Sequence, residues 1–546
     1  MNVSNIAHAL SEQARNQPDG IALIMPTRRT ETGWEDVRYT YQELDELTDR
    51  LAAGLHAHGI GQGTRVAFMV PPSLEFFALF FAMFKAGCVP VLIDPGIGLK
   101  PLKTCLAEAE PEVFIGVTRA QVARMILGWA RGSIRQVVTV GPRPLWRGLR
   151  YKDLIKAARS DFEPPAVTGD DEAAVLFTSG STGIPKGVVY RHRMFAAQVD
   201  LLRDTFGMSP GEVDLPTFPP FALFDPALGM TSVIPLMDFT RPAQADPDML
   251  VSLIDHYDVT HLFGSPALMN TLSRHLEAGQ LRLPGVRRAL SAGAPVSPAV
   301  IERMHGALDP WSDIHTPYGA TEALPVATVA GRELVGELSD GNRQGRGICI
   351  GRPLTANEVR IISVSDDPID LTEYAGEVPQ GEIGEICVTG PTVTDTYFRR
   401  EAQTRAAKMT DAQGRIWHRM GDLGWFDEEG RLWFCGRKSE RVRTAQGTLY
   451  TECVEGPVNA VEGVFRSALV GVGEPGTQEP VIIIEPEADA DRTSVEARVR
   501  EVLDSRADTA AIKRIEFHKS FPVDIRHNAK IRRNQLAEWA ASRNPS

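Results

Sequence analysis

The residues Phe177-Thr178-Ser179-Gly180-Ser181-Thr182-Gly183-Ile184-Pro185-Lys186-Gly187 have the types and spacing to hold a phosphate. Glycines let backbone N–H groups approach phosphate oxygens closely. Short hydroxyls add donors, and Lys186 adds a mobile positive charge. The spacing is not that of a Walker A loop. Pro185 stands where the glycine before the lysine is required, and Gly187 where the Ser/Thr after it is required. The stretch therefore reads as a nucleotide-phosphate loop of another kind, set between two apolar runs that read as strands.

Five later segments complement it. Gly293-Ala294-Pro295, after a strand, carries too little side chain to block a flat base. Tyr318-Gly319-Ala320-Thr321-Glu322 offers an aromatic face, a hydroxyl and a carboxylate suited to Mg²⁺. Asp422, in Met420-Gly421-Asp422-Leu423-Gly424, reads as a carboxylate on a tight turn, able to hold both hydroxyls of a ribose. Arg437 follows Gly436 where the texture of the chain changes, and Lys530 lies in the basic run Arg526 to Arg533. Each piece alone has an ordinary structural explanation; their order over some 350 residues points to nucleotide chemistry.

The elements that must position these residues follow from periodicity. A chain of 546 residues exceeds one core, so two or more domains are expected. Thr40 and Glu43 form the start signal of a helix that continues through Leu44, Leu47, Leu51 and Leu55. Strands are expected at 66–70, 89–93, 113–117 and 137–140, with helices between them, and a second series comes later: helix 250–257, strand 260–263, helix 266–278, strand 288–291. This alternation predicts an α/β fold of mostly parallel sheets covered by helices. After about Arg343 short alternating strands (358–362, 384–389, 431–435) predict a small β-barrel or antiparallel sheet. From Gly436 onward a smaller α+β unit is expected. The arginines between Arg131 and Arg150 read as a solvated surface.

Composition excludes several classes. The formal net charge of −12 argues against a nucleic-acid binder. The six cysteines show no metal-ligand spacing, so reduced cytoplasmic thiols are expected. The apolar window 76–93 is broken by Lys85, Gly87 and Pro90 and reads as a buried helix entering a strand, not a membrane span. No signal peptide is read at the N-terminus.

On the residues quoted, the chain resembles the adenylate-forming superfamily of acyl-CoA synthetases, nonribosomal-peptide adenylation domains and luciferases. Phe84-Lys85-Ala86-Gly87 with Asp94-Pro95, and Gly384 through Tyr397, match its structural motifs. The resemblance implies an N-terminal ATP- and acid-binding adenylation domain at 1–436 and a mobile C-terminal domain at 437–546 carrying the catalytic lysine. It implies ATP and Mg²⁺, with Thr178 to Gly183 and Lys186 on phosphate and Gly293 to Pro295 and Tyr318 to Ala320 around the base. It further implies Asp422 on ribose, Arg437 at the junction, Thr321 and Glu322 at the phosphates and metal, and Lys530 in catalysis.

Three departures from the family pattern bear on the fate of the adenylate. Ala222 stands where CoA-forming members carry a gating histidine, in Pro219-Pro220-Phe221-Ala222-Leu223-Phe224-Asp225-Pro226. Ser439 occupies the hinge position, and 446–452 is one residue shorter than the usual pantetheine-tunnel loop. Arg526-His527-Asn528-Ala529-Lys530 and the Phe218 to Pro226 segment are similar to the β-lactone synthetases of bacterial long-chain olefin biosynthesis. That resemblance implies a 2-alkyl-3-hydroxy fatty acid substrate, whose own hydroxyl displaces AMP, and association with other olefin-pathway enzymes. Phe221, Ala222, Phe224 and Asp225 are then the expected alkyl-pocket wall, and His527 or His192 the candidate base. The competing expectations are a long- or medium-chain acyl-CoA or acyl-carrier ligase, and a nucleotide-binding scaffold without activity.

Overall fold

The computed structural model describes residues 5–143, 146–158, 162–178, 185–371, 376–523 and 531–543. Two sheets organise the large N-terminal part. The first has seven strands, in the spatial order Leu149–Arg150, Gln136–Val140, Val113–Val117, Arg65–Met69, Val89–Ile93, Glu172–Thr178 and Lys186–Arg191. Its strands pair in parallel until the last two, which are antiparallel and bracket the hydroxyl-rich loop.

The helix Leu74–Lys85 explains why the most apolar window is not a membrane segment. Ser73 caps it by accepting from the Phe76 N–H, and Phe76 through Phe84 are all buried. A helix apolar on every side has to be covered on every side. The same core cluster takes in residues of both sheets, from Val66 to Phe263 and Leu290. Lys85, also buried, is compensated by Asp45 at 2.6 Å and Asp49 at 2.5 Å. Those two acids lie on the helix Tyr41–Ala57, where the expected capping box of Thr40 and Glu43 forms. Among the described residues no helix is long and apolar enough to cross a membrane.

The second sheet is the scaffold of the candidate site. Thr231–Val233, Val213–Pro216, His261–Gly264, Arg288–Ser291 and Asp313–Ala320 lie side by side in parallel. Asp313–Ala320 then turns back antiparallel into Ala323–Ala330, and from there the pairing stays antiparallel through Ile348–Pro353, Leu432–Arg437, Ile416–Phe426, Gly384–Thr389 and Glu358–Ile362. Sequence pattern predicts a small barrel or sheet for these later strands. They continue the long sheet, and no closing pair is found among the described residues.

The far edge carries a hairpin, Ile21–Thr30 with Gly33–Thr40. The small C-terminal domain has a three-stranded sheet, Val464–Val472, Glu479–Pro486 and Arg514–Phe517, and a short strand pair, Val442–Thr444 with Gly447–Leu449. The helices Thr451–Asn459 and Arg492–Asp504 close over Leu469, Ile482 and Ile484. All six cysteines are buried and none forms a disulfide.

Candidate active site

The residues expected at the ribose and base meet where parallel pairing gives way to antiparallel. Tyr318, near the end of Asp313–Ala320, donates its hydroxyl to Asp422 Oδ2 at 2.6 Å. Arg437 is directly opposite Asp422 across the strand pair, and its Nη1 lies 2.8 Å from Asp422 Oδ1. Asp422 is not on a tight turn. It sits inside the eleven-residue strand Ile416–Phe426, next to Gly421 in the left-handed region and just before an irregularity at Leu423/Gly424. The glycines suggest a turn; cross-strand pairing on both sides holds them in a sheet instead.

Burial pushes the Asp422 carboxyl above its ordinary value, while Arg437 and Tyr318 oppose the shift. The same carboxylate is the main reason the Arg437 guanidinium is raised. Gly436, just before Arg437, has φ +129, and an added Cβ would stand 2.1 Å from Thr451 Oγ1. Only a glycine lets the chain enter the small domain against that helix.

Thr321 and Glu322 form the tip of the hairpin. The backbone carbonyl of Thr321 accepts from the buried Tyr190 hydroxyl at 2.6 Å. Tyr397 donates to Glu322 Oε1, also at 2.6 Å, and Lys186 lies over the Tyr397 ring at 4.9 Å. Thr394 donates both its N–H and its hydroxyl to the Glu322 carbonyl, while Phe398 N–H donates to Gly187 O at 2.7 Å. The segment Thr394–Phe398 thus laces the Glu322 tip to the strand leaving the phosphate loop. Among the described residues no three His, Cys, Asp or Glu side chains converge on a metal position. One carboxylate alone suits a Mg²⁺ whose other ligands are phosphate oxygens and water.

Sequence reasoning missed Lys408. It is buried, its Nζ donates to Thr394 Oγ1 at 3.0 Å, and burial brings its ammonium down to about 7 against the pull of Glu322 and Asp395. The signal available was its place in a short apolar run, Ala406 to Met409, where a lysine has to be compensated from another element.

Gly293 lies in the loop after Arg288–Ser291 with φ +98, beside Ala294 and Pro295 as expected. Of the phosphate loop, the backbone of Thr178 pairs with Lys186. Ser179, Gly180, Ser181, Thr182 and Gly183 lie outside the described residues, as do His527 and Lys530. His192 is in the protein core, edge-on to Phe84 at 5.4 Å, and burial pushes it down to about 4. In that position it packs against Phe84 in the core.

The four residues expected to wall the alkyl pocket fall into two settings. Phe221 stacks on Phe263 at 4.1 Å, Phe224 lies 6.3 Å from Phe195, and Ala222 is buried between them in the apolar cluster that spans the two sheets. Asp225, on the same segment, stays outside that apolar cluster. It is 0% exposed and points the other way, into the second sheet, where it accepts a hydrogen bond from Ser232.

Strands flanking the hydroxyl-rich segment and the Tyr318–Asp422–Arg437 cluster are the arrangement expected of an adenylate-forming ligase. The model of the AMP-binding enzyme family matches residues 10–398, and the chain belongs to that family. Over 547 aligned residues it is 52% identical to the olefin β-lactone synthetase of Xanthomonas campestris pv. campestris, covering 98% of this chain and 97% of that one. The olefin β-lactone synthetase of Stenotrophomonas maltophilia is likewise 52% identical, with 98% of each chain covered. The fold is shared with ATP-bound MatB of Rhodopseudomonas palustris at a TM-score of 0.78, 23% identity and 99% of each chain.

Proposed function

We propose that this ligase adenylates a long-chain 2-alkyl-3-hydroxy fatty acid with ATP and closes it to a β-lactone, releasing pyrophosphate and AMP. The reading rests on one observation above the others. Ala222, at the place of the gating histidine, is sealed in a phenylalanine-lined wall and leaves no proton-carrying side chain there to admit an external thiol.

In this reading Tyr318 offers its ring to the base and Asp422, steadied by Tyr318 and Arg437, takes the ribose hydroxyls. Glu322, fixed by Tyr397 and Thr394, would hold Mg²⁺, which neutralises charge on the departing pyrophosphate. Lys186 and the loop 178–183 grip the phosphates. The chain divides at 436/437, and Lys530 from the small domain stabilises the charge that develops as carboxylate meets α-phosphate. The 3-hydroxyl oxygen then bonds to the activated carbonyl carbon, the bond to AMP breaks, and the hydroxyl proton leaves to solvent. An internal nucleophile needs proximity and orientation rather than a second substrate channel. Because a strained lactone is reactive, hand-over to neighbouring enzymes of olefin synthesis accompanies this reading.

The test is product analysis by mass spectrometry from a 3-hydroxy fatty acid, ATP and Mg²⁺, with and without CoA. Lactone formed without CoA is expected; product that appears only with CoA overturns the reading in favour of an acyl-CoA ligase. Lys530→Ala should keep ATP binding while losing pyrophosphate release by roughly a hundredfold or more.

A further inference from the structure

Behind the apolar wall lies a buried polar group that adenylation does not use. Asp214, Ser232 and His261 sit on three adjacent parallel strands, and both Ser232 and His261 are register partners of Asp214. All three are 0% exposed, as is Asp225, which reaches them from the wall segment. Ser232 Oγ donates to Asp225 Oδ2, and His261 Nδ1 lies 2.7 Å from Asp214 Oδ1. Burial raises both carboxyls well above their ordinary range, and each aspartate acts on the other. Asp214 Oδ2 and Asp225 Oδ1 are both buried without a hydrogen-bond partner, and one proton shared between the two carboxyls would satisfy both.

The wall has little means of holding itself. It consists of two helical turns, Pro219–Ala222 and Asp225–Leu228, each four residues long. Turns so short have almost no cooperative stability of their own. They are pinned at two points: Phe221 lies flat over Phe263 and against His261, and Asp225 is held by Asp214 and Ser232. Ala222, Leu223 and Phe224 are the residues between the pins.

We infer that Asp225, latched to Asp214 and Ser232, is a positioning residue that fixes the Ala222–Phe224 wall so that the acyl chain presents its 3-hydroxyl to the activated carbonyl. The inference rests on the β-lactone reading. Asp225 never touches substrate; it acts through the wall. When the latch is loosened, the adenylate still forms, because the ATP residues lie on other strands. The chain then wanders, and water captures the adenylate more often than the hydroxyl does.

The experiment measures pyrophosphate release and lactone formation on the same samples of wild type, Asp225→Ala and Asp225→Asn, with circular dichroism checking the fold. Asp225→Ala removes the latch and leaves Asp214 with His261 beside it; lactone formed per pyrophosphate should fall about tenfold, with free hydroxy acid and AMP making up the difference. Asp225→Asn puts an amide donor where the shared proton was, so it should recover most of the ratio. A purely structural role predicts equal losses of pyrophosphate and lactone, and an unchanged ratio in a folded Asp225→Ala overturns the inference. Should that variant not fold, a ratio in Asp225→Asn reduced about tenfold also overturns it, since hydrogen bonding there is preserved. Wild type without lactone would instead sink the β-lactone reading itself.

Discussion

Asp422 is a carboxylate whose surroundings oppose its charge while two neighbours support it. Burial disfavours the ionised form, and Arg437 and the Tyr318 hydroxyl restore part of it. Its folded-state value is raised, so the charge needed to hold a ribose is lost at a higher pH than for an ordinary carboxylate as the solution is acidified. ATP binding, measured by calorimetry from pH 8 downward, should therefore weaken before free carboxylates titrate. In Arg437→Met the same loss should start at still higher pH, because the group opposing the shift most strongly is gone. Asp422→Ala removes the partner of both Tyr318 and Arg437 and should raise KM for ATP roughly 10- to 100-fold, the worth of a charged hydrogen bond. Tyr318→Phe, which removes one donor and keeps the ring, should cost only about fivefold. Equal effects of the two variants would refute the division of roles.

At the scale of elements, the parallel strands were legible because each is a short apolar run bounded by turn residues. Val89–Ile93, Val113–Val117 and Arg288–Ser291 fall where periodicity places them. Two features were not legible. The hairpin Ile21–Thr40 has only its first half buried and carries Pro26, Arg28 and Arg29, so local pattern alone does not distinguish it from a loop. The strand around Asp422 holds two glycines and is a strand because its neighbours pair with it, which is tertiary information. The candidate site was readable as a set of residue types, whereas Lys408 and the Asp214–Asp225 pair show themselves only when distant strands are brought together.

His192 belongs to this scale, since it begins the helix His192–Phe206 with neither ring nitrogen partnered in the core. Its value falls from 6.5 to about 4 on burial, so between those limits the unfolded chain binds the extra proton. Stability from the neutral ring is present above the unfolded value and is lost as pH falls. From pH 7 to pH 5 that loss is about 2 kcal/mol. His192→Phe, edge-on to Phe84, should shrink the difference between urea-derived stabilities at pH 7 and pH 5 by about this amount. An unchanged difference would place the acid sensitivity elsewhere.

For the molecule as a whole, the joint between the large and small domains carries its own buried charges. Glu385 is 0% exposed and receives Arg419 Nη2 at 2.6 Å from the neighbouring strand and Lys438 Nζ at 2.9 Å from the residue after Arg437. Lys438 also donates to Ser365 O at 2.9 Å, so the chain is tied to the large domain immediately past the ribose site. The next ties, Arg441 and Arg443 to Asp366, involve a half-exposed carboxylate and contribute little. Glu385→Gln would leave Arg419 and Lys438 facing each other without a counter-charge, a loss of about 3 kcal/mol or more. Denaturation in urea should show that loss, and trypsin should cut between residues 437 and 443 faster than in wild type. Asp366→Ala, at the same joint but in solvent, should move stability by less than about 1 kcal/mol. If the two variants behaved alike, the joint would be held by surface contacts.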